Sequence, residues 1–513
     1  MTRIMELAQQ SANGTFSVSQ RKALDKEAQT LSKEYLRIVQ STKFNGLHLL
    51  DGSIDELSLQ AAFSKISSGV GGDKGTGEFG SASVLNLGVA PSDTAMGDVN
   101  GDGFLDIVIS DFTGYSISFQ LGNGDGTFRA GMSVSSSQNG GGISLSDLNG
   151  DGNLDIISSA GNGYEIHLGN GDGSFRSGTT YNLGNPVGEF SLADFNGDGN
   201  IDIVSGFGGT SLVVSLGTGT GSFQTFATLT VGPGVNRLSI GDINGDGAVD
   251  ILASSGASEN MFLFTGNGNG NFGTLPTLNG TGGILGDVNN DGYLDILSDT
   301  GIRLGNGNGT FGTETGFPDS GTTIPYLYDL NGDGNLDIIS GNNGATIRLG
   351  NGNGTFGAEY VYGMGAIPLA PLIGDFNGDG VLDLGSADSD SGTFYIRLAA
   401  TEDGIGALLP FSLTSVADAR QAMPILDRAL DSLTLQNSVL GAFQSRISVA
   451  KGLLESSRVN YSAAESRIRD ADIASDSAEY IRLQILQEAA SKVLRTANLI
   501  PEIALSLLKN GED

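Results

Sequence analysis

Seven short segments hold the residues whose types and spacing best suit chemistry. Each follows the pattern D-x-N-x-D-G-x-x-D, beginning at Asp98, Asp147, Asp194, Asp242, Asp287, Asp329 and Asp375. If such a loop curls around one point, the side-chain oxygens of positions 1, 3, 5 and 9 converge, and the carbonyl of position 7 joins them. Hard dications such as Ca²⁺ prefer six to eight oxygen ligands. The glycine at position 6 permits the sharp turn, so the pattern predicts calcium loops.

The predicted calcium ligands occupy the same five positions in all seven copies. They are Asp98, Asn100, Asp102, Phe104 and Asp106; Asp147, Asn149, Asp151, Asn153 and Asp155; Asp194, Asn196, Asp198, Asn200 and Asp202; Asp242, Asn244, Asp246, Ala248 and Asp250; Asp287, Asn289, Asp291, Tyr293 and Asp295; Asp329, Asn331, Asp333, Asn335 and Asp337; Asp375, Asn377, Asp379, Val381 and Asp383. Three crowded carboxylates repel one another without a cation, so about seven Ca²⁺ sites are expected. The alternative is that these residues only form solvated turns.

Other sequence features exclude several kinds of site. Position 12 is acidic in none of the seven copies, which argues against EF-hands. A formal net charge of −32 argues against binding nucleic acid or anionic membrane. The chain has no cysteine, and neither a membrane span nor a signal peptide is predicted. With no G-x-S-x-G elbow, phosphate loop or zinc ligand set, we expect no enzyme activity and no catalytic residues.

A second motif alternates with the Asp loops and identifies the elements that carry them. It is a Gly/Asn-rich turn that ends in phenylalanine, as in the segment ending at Phe128, and it is typical of a turn between two strands. Successive Asp loops are 42 to 49 residues apart, the length of a four-stranded propeller blade. The seventh turn is missing after the last loop but appears early, at Phe79. The incoming chain is therefore predicted to supply the outer strand of blade 7.

The flanks have a helical periodicity instead. Leu426, Leu433, Leu440, Ile447, Leu454, Tyr461 and Ile468 are seven residues apart, which predicts a coiled-coil seam. A helix break is predicted at Asp470–Asp472, and linkers at Gly69–Gly77 and Ala399–Gly406. The predicted fold is therefore multidomain α and β, with an all-β seven-bladed propeller inserted in a long helical rod. Its predicted parts are residues 1–67, residues 77–399, and residues 408–513, the last packing with the first.

The repeats resemble the FG-GAP family of integrin α-subunit propellers and bacterial surface proteins over about residues 77–399. The resemblance rests on the Asp loops, and it implies a seven-bladed ring, structural calcium and frequently an adhesive role. The flanks look like flagellin, in Arg3–Ser53 with "FNGLHLLDG" and in Ser462–Leu508 with "SRIRDADIA". Flagellins carry a further helix before the part that Arg3 onward matches, so the resemblance predicts either a longer natural chain or a different assembly.

The flagellin resemblance implies self-association into an extracellular filament, export without a cleaved signal peptide, and a middle domain displayed outward. It also places an innate immune receptor epitope at Arg3, Leu7 and Glu27. The leading interpretation is therefore a filament subunit that displays a calcium-stabilised propeller. The alternative is a surface adhesin that binds an extracellular glycan or protein through the propeller, with the helical flanks as its anchor.

Overall fold

The computed structural model describes residues 1–44, 47–48, 50, 59–61, 64–66, 73–137, 141–184, 187–206, 209–316, 325–341, 344–403 and 405–509. The chain divides into two compact units. The first comprises Met1–Gln60 and Lys65–Asn437, and the second comprises Ala61–Ser64 and Ser438–Asp513.

Two helices, α1 (Thr2–Ser11) and α2 (Val18–Ser41), precede the sheets. Helix α2 starts at a capping box, in which the Gln20 amide donates to Ser17 Oγ and the Ser17 amide donates to Gln20 Oε1. The short strands that follow are β1 (Lys43–Phe44), β2 (Leu47–His48), β3 (Leu59–Ala61) and β4 (Ser64–Ile66). The predicted turn within Phe44–Gly52 lies largely outside the described residues.

The next strands form seven antiparallel sheets, six of four strands and one of five, which confirms the predicted seven-bladed propeller. Two strands lead in, β5 (Asp73–Phe79) and β6 (Ser83–Asn86). The blade strands are then, in chain order, β7 (Pro91–Gly97), β8 (Asp106–Asp111), β9 (Ser116–Gly122) and β10 (Phe128–Ser135) in blade 1; β11 (Ile143–Ser146), β12 (Asp155–Ala160), β13 (Gly163–His167) and β14 (Thr179–Asn182) in blade 2; β15 (Glu189–Ala193), β16 (Asp202–Gly206), β17 (Ser211–Gly217) and β18 (Phe223–Thr230) in blade 3; β19 (Val235–Gly241), β20 (Asp250–Ser255), β21 (Asn260–Gly266), β22 (Phe272–Thr274) and the extra β23 (Leu278–Asn279) in blade 4; β24 (Ile284–Gly286), β25 (Asp295–Leu297), β26 (Gly301–Arg303) and β27 (Thr315–Gly316) in blade 5; β28 (Tyr326–Tyr328), β29 (Asp337–Ser340), β30 (Ala345–Gly350) and β31 (Phe356–Tyr362) in blade 6; and β32 (Leu372–Gly374), β33 (Asp383–Asp388) and β34 (Thr393–Arg397) in blade 7.

The incoming chain closes the ring as predicted. Strand β6 pairs with β34 and becomes the outer strand of blade 7, with Ser83 opposite Ile396. Beside it, β5 pairs with a further strand, β35 (Ala399–Asp403), with Phe79 opposite Ala399. The prediction of linkers at Gly69–Gly77 and Ala399–Gly406 is therefore wrong in part. Both segments contain a strand, because their backbone amides and carbonyls pair with each other where the chain enters and leaves the ring.

Burial explains the composition of the blade strands. The second strand of blade 1, β8, is buried at all six positions, which suits its unbroken run of Ile107, Val108 and Ile109. The outer strand of blade 3, β18, instead has exposed residues interspersed along its length. Each blade therefore buries apolar residues on both faces of its middle strands against the neighbouring blades.

After the ring, one helix, α3, spans Val416–Lys509. Its start is also capped, since the Asp418 amide donates to Ser415 Oγ and the Ser415 amide donates to an oxygen of Asp418. The predicted break at Asp470–Asp472 is wrong, because the helix continues through these residues. None of the three is a proline or glycine, so each keeps its backbone amide and helical φ without strain. Within the described residues, no helix is both long and apolar enough for a membrane span.

Candidate metal-binding loops

Each Asp loop joins the first strand of a blade to the second, and we number the loops 1 to 7 in chain order. The position 1 carboxylate is wrapped by the loop's own amides. In loop 1, Asp98 Oδ1 accepts from the Gly101 amide at 2.7 Å and Asp98 Oδ2 accepts from the Gly103 amide at 2.8 Å. Gly101 and Gly103 have φ of 77° and 86°, a left-handed conformation that favours glycine. The glycines therefore let the loop close around its first aspartate.

Positions 3 and 5 lie within the same curl. In loop 2 the Asp151 amide donates to Asn149 Oδ1 at 2.8 Å, and Asn149 Nδ2 donates to Asp151 Oδ2 at 3.0 Å. The Asn153 amide, at position 7, donates to Asp151 Oδ1 at 2.9 Å. The predicted oxygen donors of one loop are thus close together along the chain, but many of them already accept hydrogen bonds from loop amides.

The position 9 aspartate has a role that the sequence did not reveal. Asp106 is fully buried, its Oδ2 accepts from the Val99 amide at 3.0 Å, and its Oδ1 accepts from the Gly122 amide at 2.8 Å. All seven loops repeat this pair of bonds. The carboxylate therefore ties its own loop to the end of the third strand. In six blades the second donor is the glycine of the "LG" or "TG" pair that opens the Gly-rich turn, a recurrence that could have been noticed in the sequence.

Burial also perturbs these carboxyl groups. Loss of hydration raises the pKa of Asp106, Asp155, Asp337 and Asp383 to about 7, and the other aspartates of each loop raise it further, against the opposing effect of the two backbone amides. The same cause raises the pKa of the position 1 residue Asp329 to about 6. A cation in the loop would offset both the lost hydration and the mutual repulsion.

The donor chemistry of the loops fits a hard cation, since all the predicted ligands offer oxygen. Their arrangement is less definite, because no group of three or more acidic, histidine or cysteine side chains in the described residues has a metal-binding geometry. The assignment of individual calcium ligands therefore stays a prediction. If Ca²⁺ binds, positions 1, 3, 5, 7 and 9 would hold it, and its charge would stabilise the loop.

The Gly-rich turns connect neighbouring blades through the same loops. In six blades a turn glycine donates its amide to the position 2 carbonyl of the preceding loop. These pairs are Gly126 to Phe376, Gly173 to Val99, Gly221 to Leu148, Gly270 to Phe195, Gly309 to Ile243 and Gly354 to Val288, at 3.0 to 3.3 Å. At the remaining junction, Gly75 of β5 lies against the Leu330 carbonyl. The two motifs therefore alternate because each turn packs on the loop of the blade before it.

The helices of the first unit pack together beside the ring. One apolar cluster fully buries Leu7, Ala28, Leu413 and Leu426. We call α1, α2 and Leu413–Asn437, which surround this cluster, the helical base. Ser11 Oγ donates to the Leu413 carbonyl at 2.6 Å across this cluster. The N-terminal helices thus pack against the residues around the start of α3.

The helical base also contacts the Asp loops. Gln421 accepts from the amide of Asp98 and donates to its carbonyl, both at 3.0 Å, in loop 1. Further contacts join Arg420 to the Gly152 carbonyl of loop 2, Gln40 to the Asp333 carbonyl of loop 6, Lys22 to Asp194 of loop 3, and Arg428 to Asp375 of loop 7. The loop side of the ring is therefore the side on which the helices sit.

The residues of the predicted receptor epitope lie near one another. Arg3 Nε donates to Glu27 Oε1 at 2.9 Å, and both side chains are about half exposed. Leu7 is fully buried in the helical base. Of these three residues, Arg3 and Glu27 have side chains at the surface and Leu7 does not. Receptor binding stays a prediction.

The seam predicted along α3 has two environments. Leu426 is buried in the helical base and Gln436 is 1% exposed. Within the second unit, Ile447, Leu454, Tyr461 and Ile468 are exposed. A coiled coil along this part of α3 therefore stays a prediction.

Comparison with known proteins agrees with this architecture. The profile of the FG-GAP-like repeat matches residues 98–158, 147–205, 194–253, 242–298 and 329–386, about half of the chain. The profiles of the bacterial flagellin N-terminal and C-terminal helical regions match residues 1–55 and 423–508. The chain therefore belongs to the family of FG-GAP-like repeat proteins. More particularly, it combines flagellin terminal regions with an FG-GAP-like propeller inserted between them, as predicted.

Curated relatives of the chain are bacterial flagellins. Polar flagellin F of Vibrio parahaemolyticus is 33% identical over 126 residues, which cover 25% of this chain and 33% of the relative. Flagellin B of Vibrio cholerae is 41% identical over 97 residues, covering 19% of this chain and 26% of the relative. The chain thus matches a third or less of the length of these relatives. A solved structure described as an Agrocybe aegerita lectin recognising terminal N-acetylglucosamine covers 58% of this chain and 91% of its own, at 20% identity and a TM-score of 0.42; that similarity supports no inference about a ligand.

Proposed function

We propose that the chain is a subunit of a bacterial flagellar filament that displays a calcium-stabilised propeller on the filament surface. The carrying observation is that the N-terminal flagellin region, 1–55, packs in the helical base against Met423 and Leu426, at the start of the C-terminal flagellin region, 423–508. The ring begins and ends with the paired strands β5 and β35, so it is inserted at one place. The role is structural rather than enzymatic.

Self-association would use the exposed apolar side chains of α3. Ile481, Ile485 and Val493 are 55%, 62% and 67% exposed within the second unit. Burying such side chains against other subunits would contribute about 25 cal/mol for each Å² of apolar surface removed from water.

Calcium would act on the ring rather than on the helix. Buried carboxylates with raised pKa recur in each blade, and a bound dication would stabilise their charged form. Binding of a glycan or protein by the ring stays a prediction, since the similarities found carry no argument for a particular ligand.

A polymerisation assay tests the proposal. The purified chain is mixed with short filament seeds, centrifuged, and viewed by electron microscopy with gold-labelled antibodies against the ring. We expect the chain to pellet and gold to decorate the filament surface. A chain that stays in the supernatant, or filaments that no antibody decorates, would contradict the proposal.

Matched variants separate specific assembly from aggregation. Ile481→Asp with Ile485→Asp places two charges on the exposed apolar surface, and we expect it to abolish pelleting. Gln484→Asp with Gln487→Asp adds the same charge at nearby polar positions and should pellet like the parent chain. Equal behaviour of the two pairs would show that this surface does not drive assembly.

A further inference from the structure

The seven loops differ in what faces their first aspartate. In loop 4, Asp242 Oδ1 accepts from the Gly245 and Asp246 amides at 2.7 and 3.1 Å, and Asp242 Oδ2 accepts from the Gly247 amide at 2.8 Å. A carboxylate oxygen accepts in two directions, so Oδ2 keeps one acceptor direction after the Gly247 bond. In a calcium loop, that direction is available to the metal ion.

Loop 3 has the same frame but a different neighbour. Asp194 accepts from the Gly197, Asp198 and Gly199 amides at 2.7, 3.1 and 3.0 Å. In addition, Lys22 Nζ of α2 donates to Asp194 Oδ2 at 2.6 Å. The ammonium group thus takes the direction that stays open in loop 4. The Asp194 side chain is only 8% exposed and the Lys22 side chain is 45% exposed, so water reaches the ammonium group but little of the carboxylate.

Loop 7 receives its cation from a different helix. Arg428 of α3 lies with its guanidinium nitrogen 3.6 Å from Asp375 Oδ2, the oxygen that also accepts from the Gly380 amide at 3.0 Å. The Asp375 side chain is 2% exposed. In both loops, therefore, Oδ2 of the position 1 aspartate is paired with a positive side chain, although Lys22 and Arg428 are far apart in sequence.

Loops 4 and 5 provide the contrast. At the position 6 glycines Gly247 and Gly292, the space where a side chain would begin is open, with no neighbouring atom within 4 Å. At the same position of loop 3, Gly199 is covered by Val18 of α2, whereas Gly380 of loop 7 is as open as Gly247 and Gly292. Loop 7 therefore differs from loops 4 and 5 in its paired cation and not in the space at position 6. The helical base therefore covers loop 3 but leaves this part of loops 4 and 5 open to solvent and ions.

We infer that Lys22 and Arg428 complete loops 3 and 7 as built-in cations, so that these two loops bind no calcium tightly and the ring holds five calcium ions rather than seven. The inference rests on the calcium stabilisation proposed above. A dication on the same oxygen would lie within a few ångströms of the ammonium or guanidinium charge, and like charges at that distance repel. The helices thereby stay fastened to blades 3 and 7 whether or not calcium is present.

Counting bound calcium tests the inference. Equilibrium dialysis with radioactive calcium gives the number of tightly held ions per chain, expected to be five for the parent. Lys22→Met and Arg428→Met should each raise the count to six, and the double variant to seven. Lys26→Met on α2 and Arg446→Met on α3 remove the same charge at exposed positions and should leave five.

Each outcome bears on a different claim. Seven ions in the parent and in every variant would overturn the built-in cations while leaving calcium stabilisation intact. No bound calcium in any chain would overturn calcium stabilisation itself. A lower count in Lys22→Met than in the parent would show that the ammonium helps the loop to bind metal, which also contradicts the inference.

A melting experiment covers the case in which a variant folds poorly without metal. Calcium should raise the melting temperature of Lys22→Met by more than that of Lys26→Met, since only the first gains a new site. Equal shifts in the two variants would contradict the built-in cation in loop 3.

Discussion

The ring and the part of α3 after Ser438 use their apolar residues in opposite ways. In the ring, Ile107 and Ile157 are completely buried between blades. In the second unit, Leu454 and Ile468 are 69% and 71% exposed. The ring therefore completes its own core, whereas this stretch of helix leaves its apolar side chains exposed. The comparison indicates that the ring gains more folding free energy from apolar burial than this part of the helix does.

Removing calcium should separate the two regions most strongly. Each occupied site at about a hundred times its Kd adds about 2.7 kcal/mol to stability, and all the loops lie in the ring. A chelator should therefore lower the thermal transition seen in the tyrosine near-ultraviolet signal. The helical signal of the second unit should change little. Identical melting of the ring with and without chelator would refute calcium stabilisation.

Truncating one isoleucine in each region tests where the folding energy lies. Ile157→Ala opens a cavity in blade 2 and should reduce the free energy of unfolding by about 2–5 kcal/mol. Ile468→Ala removes the same atoms from an exposed position, and its effect should stay within about 0.5 kcal/mol. Urea unfolding of the unassembled chain measures both. Similar losses would show that Ile468 is packed in solution.

The buried position 9 aspartates should be more important for stability than the exposed ones. Asp155→Ala leaves the buried Leu148 and Gly169 amides without their acceptor, at a cost of roughly 1–3 kcal/mol for each unsatisfied group. Asp125→Ala removes an exposed turn carboxylate and is the matched control. Both variants are compared by urea unfolding in chelator, so that calcium does not contribute. Equal stability of the two variants would contradict the claim that the buried carboxylate holds its loop to the third strand.

The smallest effect is expected from pH, through Glu189 on β15, the first strand of blade 3. Partial loss of hydration raises the pKa of Glu189 to about 7, although the positive charge of Arg237 opposes the shift. The native state then holds a proton that the unfolded chain has released, so this contribution is lost as pH rises from about 4.3 to 7. Glu189→Gln should therefore melt slightly above the parent at pH 8 and like it near pH 4. The difference is small because solvent still reaches this side chain.

A control on the helix isolates that effect. Glu455→Gln removes an exposed carboxyl group from the second unit. Its melting relative to the parent should not depend on pH. If Glu455→Gln showed a pH-dependent difference as large as that of Glu189→Gln, the overall charge of the chain, and not the surroundings of Glu189, would explain the effect.

Local sequence determined most of the ring. The spacing of the Asp loops, the Gly-rich turns and the early turn at Phe79 predicted seven blades and their closure by β6. These features were readable because turn residues and apolar runs impose backbone geometry on their immediate neighbours. The flagellin flanks were readable from their own motifs, and the profiles confirmed them.

Tertiary structure decided which groups those local elements bring together. Lys22 and Asp194 are 172 residues apart, and no periodicity in the chain links them. The hydrogen bond from the Gly122 amide to Asp106 depends on the register of two strands, and the pairing of β5 with β35 made a two-stranded sheet of segments predicted to be linkers. Ion pairs and hydrogen bonds to backbone amides form only between groups that the folded chain brings within a few ångströms, whereas a sequence records only separation along the chain.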